Sequence, residues 1–271
     1  MFRAYFKMPH NFLDLLKKCR GNQVPLTVDD IEPFDLDSNI AIRIRRNDVS
    51  FITKDKRLII LVEHQSTINP NMAFRLFLYF TELLQLWVKI NGITLYGTNK
   101  IPDLPTPEFY VVYNGVSPLK ETSSEFKLES NGMKIDVEVK IVDIHFDKLD
   151  DKKSDNALAG YSFFYKVYEK QIQNGLSTEK AFDVARTECM EKGYMPGFII
   201  KEEFVVFYKD FLDYDTQLRA EGEARGEARG IEKAIYIAIQ NNAPLSLIEA
   251  MAKEANISKQ RLEDLTCQAT L

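Results

Sequence analysis

The sequence predicts an α/β protein: a mixed sheet core flanked by helices, with a helical C-terminal extension. Three observations carry that expectation. Leu58 to Val62 is a continuously apolar run, the pattern of a central strand covered on both faces. Asn69-Pro70-Asn71 then starts a second, longer apolar segment that reads as a helix to about Asn91. A strand at Phe109 to Tyr113 follows it, and from Ser154 onward every signal is helical. Helix, strands, buried helix and strand together suit a sheet with helices on its faces.

Taken in order, Phe2 to Cys19 is an amphipathic helix with Phe2, Phe6, Phe12, Leu15 and Leu16 as core contacts. Pro9 kinks it or divides it, and Gly21 stops it. Gln23 to Asp37 is acidic and loop-like, while Ile40 to Arg45 alternates like an exposed strand. Asn47 to Gln65 reads as two short strands joined by the polar turn Lys54-Asp55-Lys56. The helix after it carries Phe74, Leu76, Phe77, Leu78, Phe80, Leu83, Leu84, Leu86 and Trp87, which leave almost no polar face, so it is expected to be buried. Arg75 and Gln85 are its exceptions, and Gly92 is its end signal.

Ile101 to Pro107 is a proline-rich loop, and Asn114-Gly115 turns the chain after the next strand. Met133 to Ile144 alternates as a strand, beside a polar stretch from Glu121 to Asn131. Ala157 to Asn174 is a helix. Ser177 caps the next, which ends at Gly193, and Phe198 to Leu218 is a third. Glu221 to Gly230 repeats Gly-Glu-Ala-Arg, a solvated and marginal helix serving as spacer. Ile231 to Gln240 is a short helix; a capping box at Ser246 to Glu249 and a cap at Ser258 begin two more, joined at Asn256-Ile257 like a helix-turn-helix. Only Lys259 and Arg261 are basic on the last, against Glu263 and Asp264, so a protein-contact or dimer-forming tail is expected. The expected divisions are a core over 1–150, a helical region over 151–219, a spacer over 220–230 and a small helical tail over 231–271.

The chain has 271 residues, enough for one sizeable core and an appendage. Cys19, Cys189 and Cys267 are odd in number and widely spaced, which suggests reduced thiols in a cytoplasm. No apolar run approaches the roughly 20 residues that span a bilayer, so no membrane partner is expected. The net charge is −5, yet residues 1–100 hold 14 Lys and Arg against 10 Asp and Glu, and the remainder 21 against 30. The basic excess includes Arg43, Arg45 and Arg46, immediately before Asp48. Local positive charge of that kind suits phosphate binding.

The chemistry centres on Asp48 and Glu63. Strand alternation puts Glu63 and Gln65 on one face and His64 on the other. A hairpin about Lys54-Asp55-Lys56 brings Asp48 level with Glu63, on strands about 4.8 Å apart. Two carboxylates so placed reach one Mg²⁺ or Mn²⁺; alternatively each acid merely ends a strand in water. His10 and His145 have no partner at ligand spacing.

Several stretches resemble one family. Phe2-Arg3-Ala4-Tyr5-Phe6 with Pro9, Glu63-His64-Gln65-Ser66, Met72-Ala73-Phe74-Arg75 with Tyr79, Phe109 to Gly115, and the Gly-Glu-Ala-Arg repeat are similar to the PD-(D/E)XK nuclease family transposases, also called recombination-promoting nucleases. The resemblance implies a restriction-endonuclease-like core and a metal-dependent DNA endonuclease, a hydrolase of phosphodiester bonds associated with recombination or mobile elements. By it, Asp48, Glu63 and the His64 backbone carbonyl hold Mg²⁺ (or Mn²⁺). Gln65 stands where most nucleases of this fold carry Lys; its amide can orient water but brings no charge. Arg43, Arg45, Arg46, Lys54, Lys56 and Arg75 are then the DNA-binding candidates, and Lys54, Lys56 and Arg75 are also the candidates to supply the missing charge. The family's His-Asp pair ahead of the first aromatic has no counterpart before Phe2, and Asp14 is the substitute to test. The alternative function is an inactive nuclease-fold module that binds DNA or protein, and a homo-oligomer formed through the C-terminal helices is a possible partner state.

Overall fold

Pro9 divides the first helix in two, α1 (Phe2–Phe6) and α2 (Pro9–Arg20). It occupies the first turn of α2, where its missing N–H costs no hydrogen bond. Gly21 ends α2 at φ 69°, the left-handed conformation that a residue with a side chain adopts only under strain. The computed structural model describes residues 1–21, 24–35, 48–98, 100–199, 230–241, 243–254 and 257–270. They fall in two compact units, Met1–Val206 and Phe207–Leu271.

The first unit is built on a six-stranded mixed sheet. Its strands are β1 (Ile31–Pro33), β2 (Val49–Thr53), β3 (Leu58–Gln65), β4 (Thr106–Tyr113), β5 (Ser123–Ser130) and β6 (Met133–Asp143). The spatial order is β1-β2-β3-β4-β6-β5. β1, β2 and β3 form an antiparallel meander, β3, β4 and β6 run parallel, and β5 returns antiparallel on β6.

Two of these strands are absent from the sequence reading. β1 has three residues inside the stretch expected to be loop, too few for any periodicity to register. β5 lies in the polar Glu121 to Asn131 stretch, and most of its residues are exposed. It is a strand because β6 supplies its hydrogen bonds along its whole length, from Ser123↔Lys140 to Ser130↔Met133. The expected strand at Ile40 to Arg45 lies outside the described residues.

Helix α3 (Met72–Ile90) covers one face of the sheet. Met72, Ala73, Leu76, Tyr79, Phe80, Leu83 and Trp87 form its buried stripe, packed on Ile59 and Leu61 of β3, Val111 of β4 and Ile141 of β6. The helix packs on the sheet as expected, but it keeps an open side. Phe74 remains 43% exposed and Ile90 53%, because a single sheet face covers only one side of a helix. Phe74 and Phe77 instead meet Phe126 on β5.

The opposite face carries α1, α2 and α4 (Ala157–Gln173), with α5 (Thr178–Glu191) and the short α6 (Pro196–Ile199) beyond. Phe12 of α2 stacks on Phe51 of β2 at 4.1 Å. The end of α2 is pinned to the sheet twice: Arg20 pairs with Glu108 of β4 at 2.7 Å, and Lys140 of β6 donates to the Cys19 carbonyl. Asn156 and Ser177 cap α4 and α5 through their side-chain oxygens. Cys19 and Cys189 are buried free thiols, both pushed up to about 12 chiefly by that burial. Of the expected helix from Phe198 to Leu218 only Phe198 and Ile199 are described, at the end of α6; its remainder and most of the Gly-Glu-Ala-Arg spacer lie outside the described residues.

Among its described residues the second unit shows three helices, α7 (230–240), α8 (Leu245–Glu254) and α9 (Lys259–Thr270), closed around Ile235, Ile248, Ala252 and Leu265. The capping box at Ser246 is corrected: α8 already begins at Leu245, and the Leu247 and Ile248 amides bond to the Pro244 carbonyl. Ser258 does accept from the Arg261 amide at the start of α9. Arg261 itself forks onto both oxygens of Glu232 at 3.0 and 2.8 Å. Among the described residues no helix is long and apolar enough to cross a membrane.

Candidate active site

The turn between β2 and β3 sets the geometry of the site. Thr53 donates its hydroxyl hydrogen to Asp55 Oδ1 at 2.6 Å, the Arg57 amide donates to the same oxygen, and Lys56 turns the chain at φ 59°. Those bonds, Thr53 first, hold the Asp55 carboxyl below its ordinary value. The resulting register pairs Val49 with Val62 and Ser50 with Leu61. Continued by one residue, it sets Asp48 opposite Glu63, and directly opposed residues share a face of the sheet.

The two carboxyl groups meet. Glu63 is only 5% exposed, and its pKa is pushed up to about 9, first by burial, then by the charge of Asp48 and a hydrogen bond between the two side chains. Glu63 is therefore protonated at neutral pH, as expected of one member of a close acid pair. Asp48, half-buried at the start of β2, accepts the His64 backbone amide at 2.8 Å. Glu63 Oε1 is buried without a hydrogen-bond partner.

Arg75 stands at the exposed side of the pair. Its Nη2 lies 3.9 Å from Glu63 Oε1 and donates to the Tyr79 hydroxyl at 3.2 Å, one turn along α3. Its side chain is 39% exposed, so it faces both the buried acid and solvent. Arg75 and Tyr79 oppose the rise of Glu63 without cancelling it. Tyr79 was not among the site residues read from sequence; its spacing of four from Arg75 was the available signal.

Gln65 shares the face of Glu63 but is engaged locally. Its amide donates to Met72 Sδ at 2.8 Å and its Oε1 accepts the Asn69 amide, tying the end of β3 to the start of α3. His64 points to the other face, as alternation requires. Its ring stacks on Phe2 at 4.9 Å and meets Tyr161 and Tyr165 edge-on, while Nε2 faces Asn114 Oδ1 at 2.9 Å. Burial lowers its pKa, opposed by the charge of Asp48, so the imidazole is a neutral core group.

Two expectations are corrected. Lys54 and Lys56 sit at the hairpin turn, at the far end of β2 and β3 from Glu63. Six residues of extended chain from Asp48 to Lys54 span roughly 20 Å, and Lys56 Nζ is bound to Asn91 at the end of α3. Neither supplies charge to the acids. Asp14 is no substitute acid either: its Oδ2 accepts the Ala157 amide at the start of α4, and its Oδ1 pairs with Lys17. His145 is hydrogen-bonded on both ring nitrogens. Its Nδ1 lies 2.6 Å from Asp143 Oδ1 and its Nε2 3.0 Å from the Gly115 carbonyl. The Asp-x-His spacing at the end of β6 was the missed signal. Gln85 is exposed on α3, and Arg43, Arg45 and Arg46 lie outside the described residues.

Among the described residues no group of three or more His, Cys, Asp or Glu side chains is placed to hold a metal ion. No protein-family model matches the chain, and no match was found to a curated protein or to a solved structure.

Proposed function

We propose that this chain is a DNA endonuclease of the restriction-endonuclease-like type, dependent on Mg²⁺ or Mn²⁺, with Asp48 and Glu63 as its acidic pair. One observation carries the reading: two carboxyl groups from neighbouring strands share a face, and one of them is buried with an oxygen left unpartnered. In the protein alone that arrangement keeps a proton on Glu63. A hard divalent cation favours the opposite state, both groups ionised, and Mg²⁺ is typically held by one or two carboxylates with several waters retained. Two carboxylates beside the His64 backbone carbonyl fit that requirement. The succession of α2, the β2–β3 hairpin, α3 and β4 is in keeping with the core that the resemblance implies.

When bound, such an ion lowers the pKa of a coordinated water and offsets charge on a scissile phosphate. The chain's own groups do the rest. Asp48, fixed by the His64 amide, is a positioned oxygen ligand. Glu63, on giving its proton to solvent water, would be the second. Arg75, partly exposed and tethered by Tyr79, brings the positive charge that Gln65 lacks and meets the phosphate oxygens. Gln65 holds the β3–α3 junction through Met72 and Asn69, which keeps Glu63 and Arg75 in register.

The deciding experiment is nicking of supercoiled plasmid in Mg²⁺ by the wild type, Asp48→Ala and Glu63→Ala. Cleavage by the wild type alone supports the endonuclease. Retained DNA binding with no cleavage in either metal ion points to a second reading, a binding module that keeps the sheet without the reaction. The engagement of Gln65 with Met72 and Asn69, away from the acids, is the observation that favours it.

A further inference from the structure

Beyond the C-terminal ends of β4 and β6 lies a cleft of about 380 Å³, walled on one side by α4. Ligands of open α/β sheets bind at this end of the strands. The cleft faces α4, whereas Glu63 faces α3, so it is separate from the acid pair. On α4, Ser162, Tyr165, Lys166 and Lys170 recur at the helical period and line it, while Tyr161, Phe164 and Tyr168 turn into the core.

Two buried polar atoms in this lining have no hydrogen-bond partner, Asn114 Nδ2 and Ser162 Oγ. Asn114 is 7% exposed and Ser162 2%. The Asn114 oxygen already faces His64, so the donor end of the amide is the one left over. Orphaned buried polar atoms are uncommon in folded proteins, and each has room for a partner, water or a polar ligand edge. The rim has a different character. It carries two acids, Asp147 and Glu169, and two lysines: Lys166 is held by Asp147 at 2.6 Å, whereas Lys170 is exposed and has no ion pair among the described residues. Val116, 76% exposed, and the half-buried ring of Tyr165 add apolar surface between depth and rim.

A ligand that satisfies all three parts has a flat, apolar-faced ring with polar edges and an attached anion. We propose that the cleft binds a single nucleotide, its base edge toward Asn114 and Ser162, its ring against Tyr165 and its phosphate toward Lys170. Aromatic side chains stack on any base, so the pocket discriminates by size and phosphate more than by base identity. The nucleotide is either a free mononucleotide or an unpaired unit of a strand.

Calorimetric titration of the full chain tests this with thymidine 5′-monophosphate, an oligothymidylate, thymidine and inorganic phosphate. A nucleotide probe is expected to bind, with affinity reduced about tenfold by the reversed charge in Lys170→Glu. Ser162→Ala also weakens it, and Asp48→Ala leaves it unchanged. Lys170 is exposed, so its substitution does not disturb the core. Equal affinity for mononucleotide and oligomer identifies a free nucleotide; binding of the oligomer alone identifies a strand. The proposal is overturned if neither nucleotide probe binds, if phosphate alone binds as tightly as the mononucleotide, if Lys170→Glu and Ser162→Ala leave binding unchanged, or if Asp48→Ala abolishes it. Because Asp48→Ala removes the proposed cleavage, failure of the pocket and failure of the endonuclease reading are read separately.

Discussion

Glu63 Oε1 and Arg75 Nη2 are 3.9 Å apart, beyond hydrogen-bonding range yet close enough for the guanidinium charge to favour ionisation of the acid. The acid comes from a central strand and the guanidinium from the helix that crosses above it. The position of Arg75 therefore reports how α3 seats on the sheet. Removing the guanidinium leaves Glu63 with less to oppose its burial.

Arg75→Ala is therefore expected to lower plasmid nicking at neutral pH by about tenfold or more, the scale of losing a charged transition-state contact. The side chain is partly exposed, so the melting temperature changes little. Nicking assays beside thermal melts check both halves. A large loss of stability would mean that Arg75 serves packing instead.

Protonation of Glu63 makes stability depend on pH in a stated direction. Its folded value of about 9 lies above the ordinary 4.5, so between those values the folded state holds a proton that the unfolded state has released. The contribution is complete below about 4.5 and is lost as pH rises through about 9. Its slope is at most about 1.4 kcal/mol per pH unit, one proton's worth. Urea melts at pH 5, 7 and 8.5 without divalent ions should show the wild type weakening relative to Glu63→Gln. Parallel curves would show that Glu63 is not protonated in the folded protein.

The same proton competes with a cation. Below about 9, each unit rise in pH should strengthen Mg²⁺ binding about tenfold, because Glu63 must ionise to act as a ligand. Added Mg²⁺ should raise the wild-type melting temperature, more at pH 8.5 than at pH 7, and leave Asp48→Ala unmoved. Chelation with EDTA should reverse the shift and stop nicking.

Gly115 lies where no side chain fits. A Cβ there would stand 1.8 Å from the Ser66 carbonyl oxygen, which belongs to backbone and cannot swing aside. Gly115→Ala should cost about 1–3 kcal/mol by overpacking, read by denaturant melts. Gly197→Ala, where nothing lies within 4 Å of the new carbon, is the neutral control.

Asp14→Ala separates a helix cap from a catalytic acid. Loss of the acceptor for the Ala157 amide should cost about 1 kcal/mol, while nicking at a temperature where both proteins are folded stays unchanged. A drop in nicking without a drop in stability would return Asp14 to the site.

The sequence by itself determined the strand pair and the level of its two acids. In a tight hairpin, register follows from counting outward from the turn, and alternation decides which face each side chain takes. That is why Asp48 opposite Glu63, and His64 turned away into the core, were legible before any coordinates. The split at Pro9 and the stop at Gly21 were legible for the same local reason, a backbone preference written in one residue. Only the tertiary structure decided that the polar residues of β5 form a strand, since their hydrogen bonds come from β6. Only it decided that Arg75, and neither Lys54 nor Lys56, neighbours the acids, that Glu63 is sealed, and that His145 leans on Asp143 and Gly115. Charge proximity and burial arise between elements brought together by packing, and no periodicity along the chain records which residues will meet there.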